Sequence, residues 1–313
     1  MLEPVRREFA DLVTTIARCE PVHPLVADEE SARDARARLA QGAGAVTLHT
    51  VPHGDVWVRD SGPTFLTRGH EVALVDWEFN GWGNKYPASL DNDIPRYVAD
   101  VLGDDAPFRP GIVMEGGSIE VDGRGTVLTT RQCLRSPGRN PTLREADLER
   151  YLCEYLGVSQ VLWLDEGLEG DHTDGHIDTI SRFTSPDTIV TAVCEDRDDP
   201  NYPVLEANLD RLRSARSADG TPYTVVELPI PVRRAAFEGE RLPLTYANFY
   251  IVNGAVILPV YGDENDERAI DILRPLFPGR TVVPLRARDL MTGGGAFHCV
   301  TQQQPAGTIW RRS

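Results

Sequence analysis

The sequence has no apolar run approaching the roughly 20 residues of a membrane-spanning helix, and Met1 to Ala10 hold no hydrophobic stretch of the signal-peptide kind. Both absences give the expectation of a cytoplasmic protein with no membrane partner. Basic residues are outnumbered, 32 Lys and Arg against 48 Asp and Glu, for a formal net charge of −16. That balance argues against nucleic acid as a partner and suits the steering of a small cation. Cysteines are few, Cys19, Cys133, Cys153, Cys194 and Cys299, odd in number and never spaced as Cys-x-x-Cys. Neither a disulfide framework nor a structural zinc site is indicated, so reduced thiols are expected. No nucleotide-binding loop, linker or low-complexity tract interrupts the chain.

What is present is a 313-residue chain whose 41% hydrophobic content suffices for a substantial core, and it reads as one α/β domain over residues 1–313. A capping box at Thr142 to Glu145 predicts a helix that ends at Gly157, and further helical spacing covers 89–102, 201–214 and 266–277. Each helix is followed closely by a β-type run. Four pairs of strands recur, at 60–66 with 71–79, 115–121 with 126–131, 176–183 with 188–194, and 246–252 with 255–261. A fifth unit would begin at Cys299 and be completed by the N-terminal segment. A ββαβ unit cannot bury its own faces, so five copies are expected to close around a common axis, with their polar strand starts converging there. The alternative is an ordinary α/β sheet whose polar strand ends face water.

Those strand starts carry the chemistry. Gly293-Gly294-Gly295 brings backbone close to something and then presents Cys299, which on its own reads as a small packing residue. Far upstream, Gly175-His176-Ile177-Asp178 leads into alternating apolar residues, and a strand there would place His176 and Asp178 on one face. Asp60 and Glu115 occupy similar positions, each followed by small residues and a strand. Carboxylates sharing one floor repel each other unless a cation lies between them, so they form a clamp that a planar guanidinium fits. A thiolate could attack the carbon of a guanidinium so held, and His176 would protonate the departing nitrogen and later activate water. This chemistry needs no cofactor and no metal.

Five segments in series resemble the agmatine deiminases of the guanidino-group-modifying superfamily, which also contains bacterial peptidyl-arginine deiminases. They are Trp57-Val58-Arg59-Asp60-Ser61-Gly62-Pro63, Asn80-Gly81-Trp82-Gly83-Asn84-Lys85-Tyr86, Glu115-Gly116-Gly117-Ser118, Gly175-His176-Ile177-Asp178 and Gly293 to Cys299. The resemblance implies a five-bladed pseudo-symmetric α/β propeller and hydrolysis of agmatine to N-carbamoylputrescine and ammonia, a step of putrescine formation. It also implies that Cys299 is the nucleophile and His176 the acid and base, with Asp60 and Asp178 on the guanidinium nitrogens and Glu115 supporting the histidine or the substrate. Trp57 would wall the pocket, and Gly294 and Gly295 would permit close approach. Family members carry a Trp- and Pro-rich stretch before the first helix; its absence here implies a truncated first blade with an open edge.

Rival readings remain at this level. Arginine or peptidyl-arginine is an alternative substrate, and Glu166, Glu169 and Asp171 are candidates for holding an amine tail. His172 and His176, four apart among acids, would suit a metal-dependent amidohydrolase if they lay on a helix. Cys299 with His176 could also serve a cysteine amidohydrolase, which would need an oxyanion hole, or the chain could bind guanidines without catalysis. His298 reads as structural, because neighbours on a strand face opposite ways. Trp82 and Cys133 are undecided, and assembly into a homo-oligomer is left open.

Overall fold

The computed structural model describes residues 2–40 and 44–311. After the helix Leu2–Ile16, two short parallel strands, β1 (Leu25–Val26) and β2 (His49–Thr50), flank the helix Glu29–Leu39. The hairpin β3 (Thr64–Arg68) and β4 (Glu71–Val75) follows. Three larger units then repeat one plan. The hairpin β5 (Glu120–Val121) and β6 (Thr126–Thr130) is extended by β7 (Gln160–Leu164), parallel to β6. The hairpin β8 (Ser181–Ser185) and β9 (Thr188–Val193) is extended by β10 (Thr224–Pro229), parallel to β9. A small hairpin, β11 (Ala236–Phe237) and β12 (Glu240–Arg241), precedes the last unit. There β13 (Tyr250–Val252) and β14 (Ala255–Val260) are extended by β15 (Thr281–Arg286), and β16 (Thr308–Ile309) comes at the end of the described chain.

The plan follows from patterning. A parallel third strand requires a crossover, and helices Glu145–Leu156, Asn201–Ser214 and Asp266–Leu273 supply it. Each buries one apolar stripe, Leu148 with Leu152, Leu205 with Leu209 and Leu212, and Ala269 with Ile270 and Leu273. The middle strand of each sheet is covered on both faces: all five residues of β6 are buried, as are five of six in β9 and in β14. The core accordingly divides into three apolar clusters, one around each of these sheets, and the cluster at β14 also takes in Leu12 and Ile16 of the first helix.

Several boundaries depart from the sequence reading, and the departures matter for the site. Asp60, Glu115, His176 and Asp178 do not start strands. Each sits on or beside one tight helical turn just ahead of its strand, Val58–Ser61, Gly116–Ser118 and Ile177–Thr179. The small residues that follow them favour these turns. Cys299 opens no strand either; it lies on a turn spanning 297–300, and the chain then runs extended to β16. That strand pairs with β4 at Glu71 and Val72 and, among the described residues, does not pair with the N-terminal segment. The helix after Pro141 starts at Glu145, with Asp147 Oδ2 accepting the Arg144 N–H at 3.0 Å, two residues later than the expected Thr142 box.

Candidate active site

The turns ahead of the sheets pack against one another and bring the five candidate polar groups into one buried cluster. Asp60, Glu115, His176, Asp178 and Cys299 are each at most 5% exposed. His176 Nδ1 stands 3.6 Å from Asp60 Oδ1, and its Nε2 stands 3.8 Å from Glu115 Oε2. These are ion-pair separations, and neither ring nitrogen makes a hydrogen bond among the described residues. Cys299 Sγ lies 3.6 Å from Asp178 Oδ2. The other oxygen of Asp178, Oδ1, is buried without a partner.

Each carboxylate is fixed from behind. Asp60 Oδ1 accepts the Gly117 N–H at 3.0 Å, and Oδ2 accepts the indole N–H of Trp82 at 2.9 Å. Trp82 has a φ of 55° in the turn Gly81–Asn84, a conformation few side chains adopt, and this strain aims its ring at Asp60. Glu115 is gripped by Arg139, whose Nε lies 2.9 Å from each of its oxygens. Arg139 in turn bonds Asp174 and the Thr173 carbonyl, both at 2.7 Å. Asp178 Oδ2 takes a 2.6 Å hydrogen bond from His298 Nδ1.

The glycine run behaves as expected, with the roles shared differently. A Cβ on Gly295 would come within 2.6 Å of the Trp57 ring and 3.1 Å of Cys299 Sγ, and one on Gly293 within 2.8 Å of Trp57. Gly294 touches nothing but has a φ of 96°, so it turns the backbone while its neighbours make the close approach. Gly117 is the floor of the cluster. A Cβ there would sit 2.6 Å from His176 Nδ1, 2.7 Å from Asp60 Oδ1 and 3.1 Å from Asp178 Oδ2.

Burial and mutual charge set the protonation. Burial disfavours an imidazolium at His176, yet Asp60 first, and then Cys133 and Glu115, overrule it and lift the ring well above its usual value. Burial pushes Asp178 up to about 7, with His176 pulling the other way and Asp60 adding to the rise. The Cys299 thiol is held well above its usual range by burial and then by Asp178 and Asp60. Glu115 stays below its usual value because His176 and Arg139 outweigh its burial. The resting cluster is therefore a neutral thiol, an imidazolium and acids at a depth where only a further cation would make full ionisation favourable.

The match to a family model described as Porphyromonas-type peptidyl-arginine deiminase runs over residues 1–305. The chain belongs to that family. Among the relatives of this deiminase-family chain, the agmatine deiminase of Ectopseudomonas mendocina is 38% identical over 327 residues, covering 97% of this chain and 88% of that protein. The agmatine deiminase of Enterococcus faecalis superposes with a TM-score of 0.91 at 33% identity, over 97% of this chain and 88% of that one. A cysteine-to-serine variant of the C. jejuni agmatine deiminase with substrate bound gives a TM-score of 0.90 at 29% identity, over 99% of this chain and 89% of that one.

His172 stands apart from His176 in this family member: it is exposed and bonds Tyr86 Oη at 2.8 Å and Glu240 at 2.9 Å. The donor set that does converge is Glu115, Cys133 and His176, within 4.8 Å of one another, but Arg139 already occupies both Glu115 oxygens. His298 reaches the site after all, because residues 297–300 form a turn and strand alternation does not apply. Glu169 pairs with Arg241, Glu166 is exposed, and Asp171 caps the backbone N–H groups of Thr173, Gly175 and His176. Sequence reading missed Asn248 and Arg139 altogether. No local motif marks either one.

Proposed function

We propose that this chain hydrolyses agmatine to N-carbamoylputrescine and ammonia through a covalent Cys299 intermediate. The observation that carries the reading is a buried thiol beside Asp178 and within one cluster with His176 and Asp60, where Asp178 Oδ1 and both imidazole nitrogens have no partner. A guanidinium supplies N–H donors for the acids and a positive charge that makes the thiolate favourable. Relatives named agmatine deiminases at 33% and 38% identity support the choice of substrate.

Asp60 and Asp178 hold the guanidinium nitrogens between them, and Trp57 and the Gly293 to Gly295 backbone wall the pocket. The thiol proton is lost to solvent as the cation binds, and a sulphur lone pair forms the C–S bond. The tetrahedral adduct expels ammonia as His176 gives its proton to the leaving nitrogen, which leaves an S-alkyl thiouronium. Neutral His176 then takes a proton from water, and the hydroxide adds to the same carbon. The C–S bond breaks with its electron pair returning to sulphur, and the hydroxyl proton passes to ammonia as the ureido carbonyl forms. Glu115 and Arg139 hold the imidazole where it can serve both steps.

The sheets belong to a single catalytic domain built as a five-bladed pseudo-symmetric propeller. Three complete ββαβ units support this, together with the β3–β4 hairpin and the β1–β2 pair. Among the described residues no helix is long and apolar enough to cross a membrane, which fits cytoplasmic residence. Ammonia release measured with agmatine, arginine and peptidyl-arginine tests the substrate. Agmatine is expected to give the highest kcat/KM, and preference for either of the other two would overturn the assignment.

A further inference from the structure

Asn248 lies in the buried stretch just ahead of β13, and its carboxamide is 1% exposed. Its Nδ2 donates to Cys299 Sγ at 3.1 Å, closer than the Asp178 carboxylate at 3.6 Å. Its Oδ1 accepts the backbone N–H groups of His298 and Cys299 at 3.1 and 3.3 Å. One side chain thus holds the turn that carries the thiol and points a donor at the sulphur.

We infer that Asn248 is a further catalytic residue, whose amide N–H stabilises the Cys299 thiolate both when it attacks and when it departs. The inference rests on the reading of Cys299 as the nucleophile. The choice of residue type has a physical reason. A lysine or arginine at this place would lower the thiol further but would repel the arriving guanidinium. A carboxylate would add to the repulsion from Asp178. A carboxamide presents only the partial positive charge of its N–H, strong toward a thiolate and weak toward a cation more distant than the sulphur.

The energetics favour such a donor here. The thiol sits far above neutrality, so each unit by which the donor lowers it raises the thiolate fraction about tenfold and costs only about threefold in nucleophilicity. The same contact acts when water cleaves the thiouronium. As the C–S bond breaks, the electron pair returns to a sulphur already facing the Asn248 N–H, which makes it the better leaving group.

The test is the pH dependence of iodoacetamide alkylation at Cys299, followed by mass spectrometry of the Cys299 peptide in the purified full-length protein without substrate. Asn248→Leu removes the donor at similar volume and adds no charge beside the sulphur. Its alkylation at neutral pH is expected to fall about 10- to 100-fold, with the titration displaced to higher pH. Asn248→Ser, which keeps a shorter donor and an oxygen for the His298 and Cys299 amides, is expected to recover part of the rate and serves if the Leu variant does not fold. An alkylation profile matching the parent protein in a folded variant overturns the inference. Because no guanidine is present, the result is independent of which substrate the enzyme turns over. A displaced profile in a protein inert to every guanidine would leave the inference standing and defeat the functional reading alone.

Discussion

The imidazole of His176 and the carboxylate of Asp60 face each other across 3.6 Å at full burial without forming a hydrogen bond. Two opposite charges so placed attract strongly, and the Asp60 carboxylate, unlike the imidazolium, can accept a substrate N–H group. The arrangement spends folding stability on readiness for a ligand. Its consequences can be measured.

Removing the nucleophile should separate binding from chemistry. Cys299→Ala is expected to lose at least about 10⁴-fold in kcat, and calorimetry should still detect agmatine binding. His176→Asn is expected to lose about 10²- to 10⁴-fold, the usual worth of a positioned proton donor. Either variant releasing ammonia at the parental rate would remove that residue from its role.

Gly117→Ala offers a structural test, because the added methyl group would project among His176, Asp60 and Asp178. The backbone there has no need of glycine's conformational range, but the methyl group must displace buried side chains, so the variant should fold with a lowered thermal transition. Its kcat/KM should fall about 100-fold or more, since misplacement at this scale disrupts reacting geometry. Full activity in the alanine variant would show that the substrate does not occupy this cluster.

The Asp178 carboxyl, pushed up to about 7 by burial, must ionise before it can hold a guanidinium. Accordingly kcat/KM for agmatine, which reports the free enzyme, should climb more steeply below about 7, where both the Asp178 carboxyl and the Cys299 thiol must lose a proton, than above it, where only the thiol must. Stability runs the other way. A carboxyl raised in the folded state contributes stability below its ordinary value of 3.8, and that contribution is lost as pH rises to about 7. Asp178→Asn should flatten this decline in urea unfolding and remove the steeper limb of kcat/KM below about 7. A steeper limb that persists in the variant would point to another group.

Arg139 neutralises Glu115 where both side chains have no solvent exposure. Arg139→Met would leave that carboxylate unpaired, at an expected cost of about 3–5 kcal/mol in chemical denaturation. Adding Glu115→Gln should recover much of the loss. If the single variant matches the parent protein, Glu115 is not held by this pair.

The repeat was legible because hairpins and crossover helices have local signatures: the apolar run of β9, and the Leu148 and Leu152 stripe ending at Gly157. The site residues were legible because several polar side chains stood ahead of apolar strands at similar intervals. Their local geometry was not. Gly116 to Ser118, Ile177 to Thr179 and Phe297 to Val300 have no periodicity to distinguish a tight turn from a strand end, which is why strand alternation puts His298 on the wrong side. Asn248 and Arg139 acquire meaning only from partners 51 and 24 residues away. No short-range pattern encodes such contacts.

Cys299 follows Asp60, Glu115, His176, Asp178 and Asn248 along the chain, so a ribosome finishes every other member of the cluster before the sulphur is made. A nascent protein therefore holds its acids and imidazole before it has a nucleophile. Chains released early, or cut between the hairpins, would lack some part of the reacting set. Deimination would then report on molecules that hold all six groups.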